Sequence, residues 1–235
     1  MWFFKKKQTI GSSGFLSGWT DYHCHILPKV DDGFQNVNDS LEALRRYEEL
    51  GVSEVWLTPH TMEDIPNTTA DLQQKFEEFR KAYNPDDDPS RIRLHLASEY
   101  MLDNKFEQHL EEKDFLTLGD MRTQVLVETS YLTPPADFID KLMRLKQAGY
   151  FPVLAHPERY VYMDDNDYRQ LKSMDVWFQL NLASLGGGYG KVVMKKAERM
   201  LRLGYYDLHG SDLHRLTTLN SIIDIPIPEE LLMNE

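Results

Sequence analysis

The chain has 235 residues, 41% of them hydrophobic, enough for one large domain or two small ones with a substantial core. A formal net charge of −12 excludes a partner held mainly by electrostatic attraction to a phosphate backbone, so no nucleic acid is expected, and it suits a protein that holds cations. A single cysteine excludes an internal disulfide and points to a reducing cytoplasm. No run approaches the ~20 apolar residues of a transmembrane helix.

Residues 1–18, MWFFKKKQTIGSSGFLSG, read as an N-terminal extension. Its apolar patch precedes the charged run, the reverse of a secretory signal. A flexible arm or a strap packed on the domain is expected. The alternative is a touch on an acidic membrane surface by Trp2, Phe3, Phe4 and Lys5–Lys7. GSSG reads as a short linker, and a single domain spans 19–235.

Helix and strand signals alternate from residue 20 onward. Strand 20–26 is followed by a helix over 39–50, with Leu41, Leu44, Tyr47 and Leu50 on one stripe, Asp39 and Glu42 as a capping pair and Gly51 as its stop. Strand 54–60 (EVWLTPH) precedes a helix over 70–83 carrying Leu72, Phe76, Phe79 and Tyr83. Strand 91–100 and a short helix over 104–112 lead to strand 124–130. A helix over 135–149, strand 151–159 (FPVLAHPER), strand 176–181, a helix over 192–203 and strand 205–212 (YYDLHGSD) complete the series. Seven strands interleaved with helical segments imply parallel pairing and an α/β fold. Runs such as VLVE and PVLA are apolar throughout, as expected when both faces of a sheet are covered.

The ligand-type residues fall where this alternation ends its strands. His23 and His25 close the first strand in DYHCH; two residues apart in extended chain, they point the same way with Cα atoms roughly 6.6 Å apart. Asp32 follows in the loop, between Pro28 and Gly33. His60 ends the second strand, Glu99 the third, Glu128 the fourth and His156 the fifth, while Asp212 and His214 follow the seventh. In a barrel the carboxyl ends of all strands converge on one face; along an open sheet they do not meet. The nine groups therefore argue for a barrel and for a site together. By contrast, His95 in mid-strand and His109 on a polar helix read as structural or exposed.

Charge counting indicates the ligand. Four carboxylates bring about −4 and neutral histidines nothing, while nine ligands exceed one ion and suit three. Three divalent cations would leave the cavity near +2, attractive to a dianion such as a phosphate ester. Arg159 can supply a bidentate clamp; the bland alternative is a surface arginine paired with Glu158. A cysteine-dependent phosphatase is excluded because the residue six after Cys24 is Val30, not arginine. LGGGYGK at 185–191 lacks the glycine and hydroxyl residue of a P-loop and reads as a pliable lip beside the pocket.

D-Y-H-C-H, D-D-G, T-P-H, A-H-P-E-R and S-D-L-H resemble the polymerase-and-histidinol-phosphatase (PHP) superfamily, and in order and spacing its bacterial capsule-associated protein-tyrosine phosphatases. The resemblance runs from Asp21 to His214. It implies a distorted (β/α)7 TIM-like barrel, single domain, with three divalent metal ions, usually Mn2+, although such ligands also suit Fe, Zn, Co or Mg. Carried over, His23, His25, Glu99 and Asp212 would hold one ion, Glu99, Glu128 and His156 a second, and Asp32, His60 and His214 a third. Arg159, Asp212 and His214 would form the catalytic group, with Arg159 on the phosphate and Asp21 steadying a histidine ring. Arg215 would be the second phosphate contact, although it directly follows His214 instead of lying some residues further on. The implied reaction is hydrolysis of phosphotyrosine by a metal-bridging hydroxide, the partner a tyrosine-phosphorylated tail of a capsule-assembly kinase, and the place the cytoplasm near the inner membrane. Rival readings are a small-molecule phosphoesterase of the histidinol-phosphatase type and a metal-holding regulatory protein without turnover. A nuclease-like editing domain fits the charge poorly. Oligomeric state stays open.

Overall fold

The computed structural model describes residues 8–119 and 123–232. The membrane-touching reading of residues 2–7 lies outside these described residues.

Among the described residues, nine parallel strand segments form two hydrogen-bonded sheets. The first takes the order β1-β2-β4, from β1 (Thr20–Cys24), β2 (Glu54–Leu57) and β4 (Arg93–Leu96). The second runs β3-β5-β6-β7-β8-β9, from β3 (His60–Thr61), β5 (Glu99–Met101), β6 (Gln124–Glu128), β7 (Phe151–Ala155), β8 (Trp177–Asn181) and β9 (Leu208–Gly210). Every named strand pairing is parallel. The architecture is a single α/β domain with a curled parallel sheet.

Two of the expected strands are broken. Residues 54–60 divide into β2 and β3 around Pro59, which has no N–H to give a ladder. Residues 91–100 divide into β4 and β5 at Ala97-Ser98, where the Ser98 hydroxyl donates to the Pro59 carbonyl at 2.6 Å. Backbone bonds bridge the breaks, Ala97 N to Leu57 O at 2.9 Å and Glu99 N to Pro59 O at 3.1 Å. The curl also joins its ends: Asp212 N donates to His23 O at 2.7 Å, and His25 N to Leu213 O at 3.0 Å.

Other boundaries shift for local reasons. Helix α1 (Val37–Leu50) is capped by Asn36, whose side chain accepts from Asp39 N, so Asn36 replaces the expected Asp39–Glu42 pair. Helix α2 (Thr69–Tyr83) buries Leu72, Phe79 and Tyr83 as the stripe foretold, and α3 (Asn104–Glu112) has the expected bounds. Helix α4 (Phe138–Gln147) starts three residues late, after the pair Pro134-Pro135. Helix α5 (Asp165–Ser173) carries an Asp164–Asp167 capping box, and α6 (Lys191–Arg202) follows the glycine-rich loop. Helices α7 (Leu216–Ile223) and α8 (Glu229–Leu232) lie beyond the last element expected from sequence.

The alternation of the central strands explains their apolar sequences. Val125, Val127 and Leu154 pack into the outer core against the helices, while Leu126, Val153 and Ala155 face inward with Trp56 and Ala97. Glu128 follows Leu126 on the same face, directly toward the rim. Residues 8–18 pack on the domain: Ile10 is fully buried and Leu16 nearly so, and Ile10 N and Gly11 N donate to Ile225 O and Ile223 O. GSSG is thus part of a turn-rich strap, not a free linker.

Candidate metal centre

All nine expected ligands meet at the carboxyl ends of the strands. They form four overlapping groups: His25–Asp32–His60–His214, His23–His25–Asp212, His23–Glu99–His156 and His60–Glu99–Glu128. Every one but Asp32 and His214 is buried; Asp32 stays at the mouth with its side chain 67% exposed. Backbone twists aim two of them. His156 follows β7 at φ 35° and Asp212 follows β9 at φ 51°, left-handed conformations that break the strand direction where these side chains leave it.

The protonation pattern of the first two histidines tests whether the residues fit a cation. Asp31 Oδ2 lies 2.7 Å from His25 Nδ1, and an ionised carboxylate can only accept, so that nitrogen carries the proton. Burial opposes the Asp31 charge, but the His25 ring and the Gly33 N–H hold its carboxyl below the ordinary value. The Gln179 amide nitrogen donates to Leu180 O at 2.6 Å, which turns its oxygen toward His23 Nδ1 at 2.8 Å. In neutral rings both Nε2 atoms are therefore bare lone pairs, and they face each other at 3.1 Å. Glu99 Oε2 stands 3.2 and 3.4 Å from them, and Asp212 Oδ1 3.6 and 3.5 Å. Four electron-rich atoms converging in a dry interior repel one another unless a cation lies among them. The set fits a divalent ion.

The rest of the cluster repeats this. His60 Nδ1 is 3.1 Å from Glu99 Oε2 and 3.0 Å from Glu128 Oε1, yet His60 Nδ1 and Glu99 Oε2 have no hydrogen-bond partner among the described residues. His60 Nε2 faces Asp32 Oδ1 at 3.5 Å, and His214 Nε2 faces the same oxygen at 3.4 Å. His60 thus looks toward two groups, whereas the resemblance had placed it with Asp32 and His214 alone. His156 Nε2 sits 3.0 Å from Glu99 Oε1 and 4.0 Å from Glu128 Oε2. Without a metal, protons take the cation's part. Burial opposes a charged His23 ring, but Glu99 and Asp212 push it up to about 9. Burial likewise opposes His60, which Glu99 and Glu128 push up to about 12.

A supporting shell that spacing could not reveal fixes these side chains. Asp31 also accepts from His60 N at 3.0 Å, so one carboxylate locks the His25 ring and the His60 backbone. Gly33 lies so close that a Cβ there would stand 2.3 Å from His25 O, which explains the glycine after the paired aspartates. Asp21 does not steady a histidine ring. It accepts from His23 N, Ser211 N, Ser211 Oγ and Tyr47 Oη, tying the first strand to the last. Glu158 is not a surface partner of Arg159: it is fully buried, accepting from Asn181 N, Ser184 Oγ and Tyr206 Oη. Cys24 is buried, its thiol donating to Trp56 O. His95 stacks on Trp56 and meets Glu54, and His109 is buried against Asp114 O. His209, which the pattern of strand ends passes over, sits on β9 beside Phe15 of the strap; burial pushes it down to about 4.

The cluster floors a cavity of about 420 Å³ lined also by Tyr131, Arg159, Tyr189, Arg215 and Thr218. Arg159 Nη1 donates to Asp212 Oδ2 at 2.8 Å. Arg215 stands exposed at the edge, and the glycine-rich loop forms one wall through Tyr189.

A parallel α/β sheet whose strand ends gather nine histidine and carboxylate side chains able to hold metal, beside an arginine-lined cavity, is the arrangement of a metal-dependent enzyme for an anionic substrate. The chain belongs to the capsular polysaccharide synthesis CpsB/CapC family, whose model matches residues 19–221. It is 29% identical over 205 residues to the tyrosine-protein phosphatase YwqE of Bacillus subtilis (85% of this chain, 79% of the relative). It is 28% identical over 204 residues to the tyrosine-protein phosphatase CpsB of Streptococcus pneumoniae (83% of each). A solved structure from work on those two proteins, described as unique metal-dependent tyrosine phosphatases, superposes with a TM-score of 0.75 at 27% identity, covering 85% of this chain and 81% of that one.

Proposed function

We propose that this protein is a metal-dependent protein-tyrosine phosphatase of capsular or exopolysaccharide synthesis. The observation that carries the reading is the convergence of bare imidazole nitrogens and carboxylate oxygens beneath Arg159. The names of the relatives and the superposed structure support it. On this reading the curled sheet is a distorted (β/α)7 barrel, with β2–β3 and β4–β5 each one interrupted strand. Three divalent ions, Mn2+ foremost, would be held by His23, His25, Glu99 and Asp212; by Glu99, Glu128 and His156; and by Asp32, His60 and His214. Bound there, such ions supply Lewis acidity and a water of lowered pKa.

The chain's own residues do the rest. Arg159 donates N–H bonds to phosphate oxygens and stabilises their charge as the phosphoryl group is transferred. Asp212 anchors Arg159 through Oδ2 while Oδ1 faces the histidines. His214, at the mouth beside Asp32, shapes the approach of water, and Arg215 meets substrate at the rim. Water oxygen bonds to phosphorus, the phosphorus–phenolic oxygen bond breaks, and the proton released ends on tyrosine or solvent. With a parent pKa of ~10, tyrosinate leaves with little protonation help, which favours aryl over alkyl esters. The substrate would be a phosphotyrosine segment of a capsule-assembly kinase, met in the cytoplasm near the inner membrane; no helix among the described residues is long and apolar enough to cross a membrane.

A phosphotyrosine-peptide assay with chelation and metal add-back tests this. Wild type loses turnover on chelation and regains it with Mn2+, and His156→Ala stays inactive. Chelator-resistant turnover rules the mechanism out. Equal rates on aryl and alkyl phosphates favour a small-molecule phosphoesterase, and no turnover with any metal favours a regulatory protein.

A further inference from the structure

The Arg159 guanidinium packs against two aromatic rings. Its Cζ lies 4.2 Å from the centroid of Tyr131 and 4.1 Å from that of Tyr189. A planar guanidinium packed on aromatic rings hydrogen-bonds through the N–H groups of its edge. One of its five N–H groups meets Asp212 Oδ2; no other acceptor meets the remainder among the described residues, although the side chain is only 16% exposed. These unspent donors line the cavity, where an anion can meet them.

Both rings are themselves fixed. Tyr131 stacks on Tyr160 at 6.0 Å. Tyr189 stands in the GGGYG loop between Gly187 (φ 75°) and Gly190 (φ 93°), conformations that side-chain-bearing residues rarely adopt. Its hydroxyl accepts from Asn181 Nδ2 at 3.2 Å, and the same amide donates to Asp212 Oδ2 at 2.7 Å. One asparagine therefore ties the loop's tyrosine to the carboxylate that anchors Arg159. A free arginine loses much rotamer freedom on gripping a ligand; here that freedom is already gone.

We propose that Tyr131 and Tyr189 are positioning residues that preorganise Arg159 as an edge-on phosphate receptor. This rests on the reading of Arg159 as the phosphate-binding group, and it makes the glycine-rich loop part of the substrate site.

The test measures inorganic phosphate affinity by calorimetry on Mn-loaded protein, together with KM and kcat for phenyl phosphate. Tyr189→Leu and Tyr131→Leu each weaken phosphate binding and raise KM about tenfold, one lost cation–π contact, with kcat within about twofold. Tyr131→Phe, which keeps the ring, recovers most of the affinity lost in Tyr131→Leu, and Tyr189→Phe, which keeps the ring but loses the Asn181 contact, falls between wild type and Tyr189→Leu. In an Arg159→Ala background the leucine changes cost nothing further. Because Tyr131 also lies 5.8 Å from the His156 ring, metal content is measured in each variant; should Tyr131→Leu lose metal, Tyr189→Leu decides alone. Unchanged phosphate affinity in the leucine variants overturns the proposal, as does an equal loss with Arg159 removed, which would mean that the rings touch substrate directly. A wild type that binds phosphate but hydrolyses no ester sinks the phosphatase reading and leaves this one intact.

Discussion

Replacing Asp31 by alanine removes no expected metal ligand, yet it should cost metal affinity. The carboxylate fixes the His25 tautomer through its 2.7 Å contact with Nδ1 and holds the His60 and Gly33 amides at 3.0 and 2.9 Å. Without it, His25 can carry its proton on Nε2, the atom aimed at His23, Glu99 and Asp212. Loss of such a supporting contact typically weakens metal binding 10–100-fold, about 1.4–2.8 kcal/mol. At fixed metal concentration the metal-dependent gain in stability should shrink by about 2 kcal/mol. Competition against a chromophoric chelator gives the affinity, and melting with and without Mn2+ gives the stability. Turnover should recover at saturating metal, because no ligand is lost. An alanine variant that binds metal within about twofold of wild type would refute the tautomer argument, since the expected range starts near tenfold.

Gly33→Ala should behave more severely, losing metal and about 3 kcal/mol or more of stability, because its Cβ would stand 2.3 Å from His25 O; denaturant melts and metal content check both. Glu158→Leu should cost about 1–3 kcal/mol with metal content retained, because it leaves the buried Asn181, Ser184 and Tyr206 donors without their acceptor; denaturant melts and metal content check both. His209 is held neutral by burial, pushed down to about 4 from an ordinary 6.5. Its contribution is therefore complete above pH 6.5 and is lost as pH falls toward 4, by about 2 kcal/mol after discounting for its partial exposure. His209→Phe should flatten that part of the acid limb, and a variant as acid-sensitive as wild type would show that other groups carry it.

The sequence by itself determined which residues would meet. Ligand-type side chains at successive strand ends share a destination once strands are parallel, because parallel strands put all their carboxyl ends on one side; HCH, TPH, AHPER and SDLH were legible for that reason. Helix faces such as Leu72–Phe79–Tyr83 were legible from periodicity alone. Only the tertiary structure decided how the side chains are aimed and held. Breaks at Pro59 and Ala97-Ser98 point His60 and Glu99 inward, and left-handed turns at His156 and Asp212 break the strand direction where their side chains leave it. Asp31, Gln179, Asn181 and the Tyr131–Tyr189 pair act through contacts spanning up to 156 residues of chain, as between His23 and Gln179, and no local spacing encodes such contacts. His209 marks the converse: it lies on the last strand close to the ligand-bearing end, but it packs against the strap, because alternation puts it on the opposite face from the site. Strand position selects the candidates, and the direction of each side chain, set by packing, decides among them.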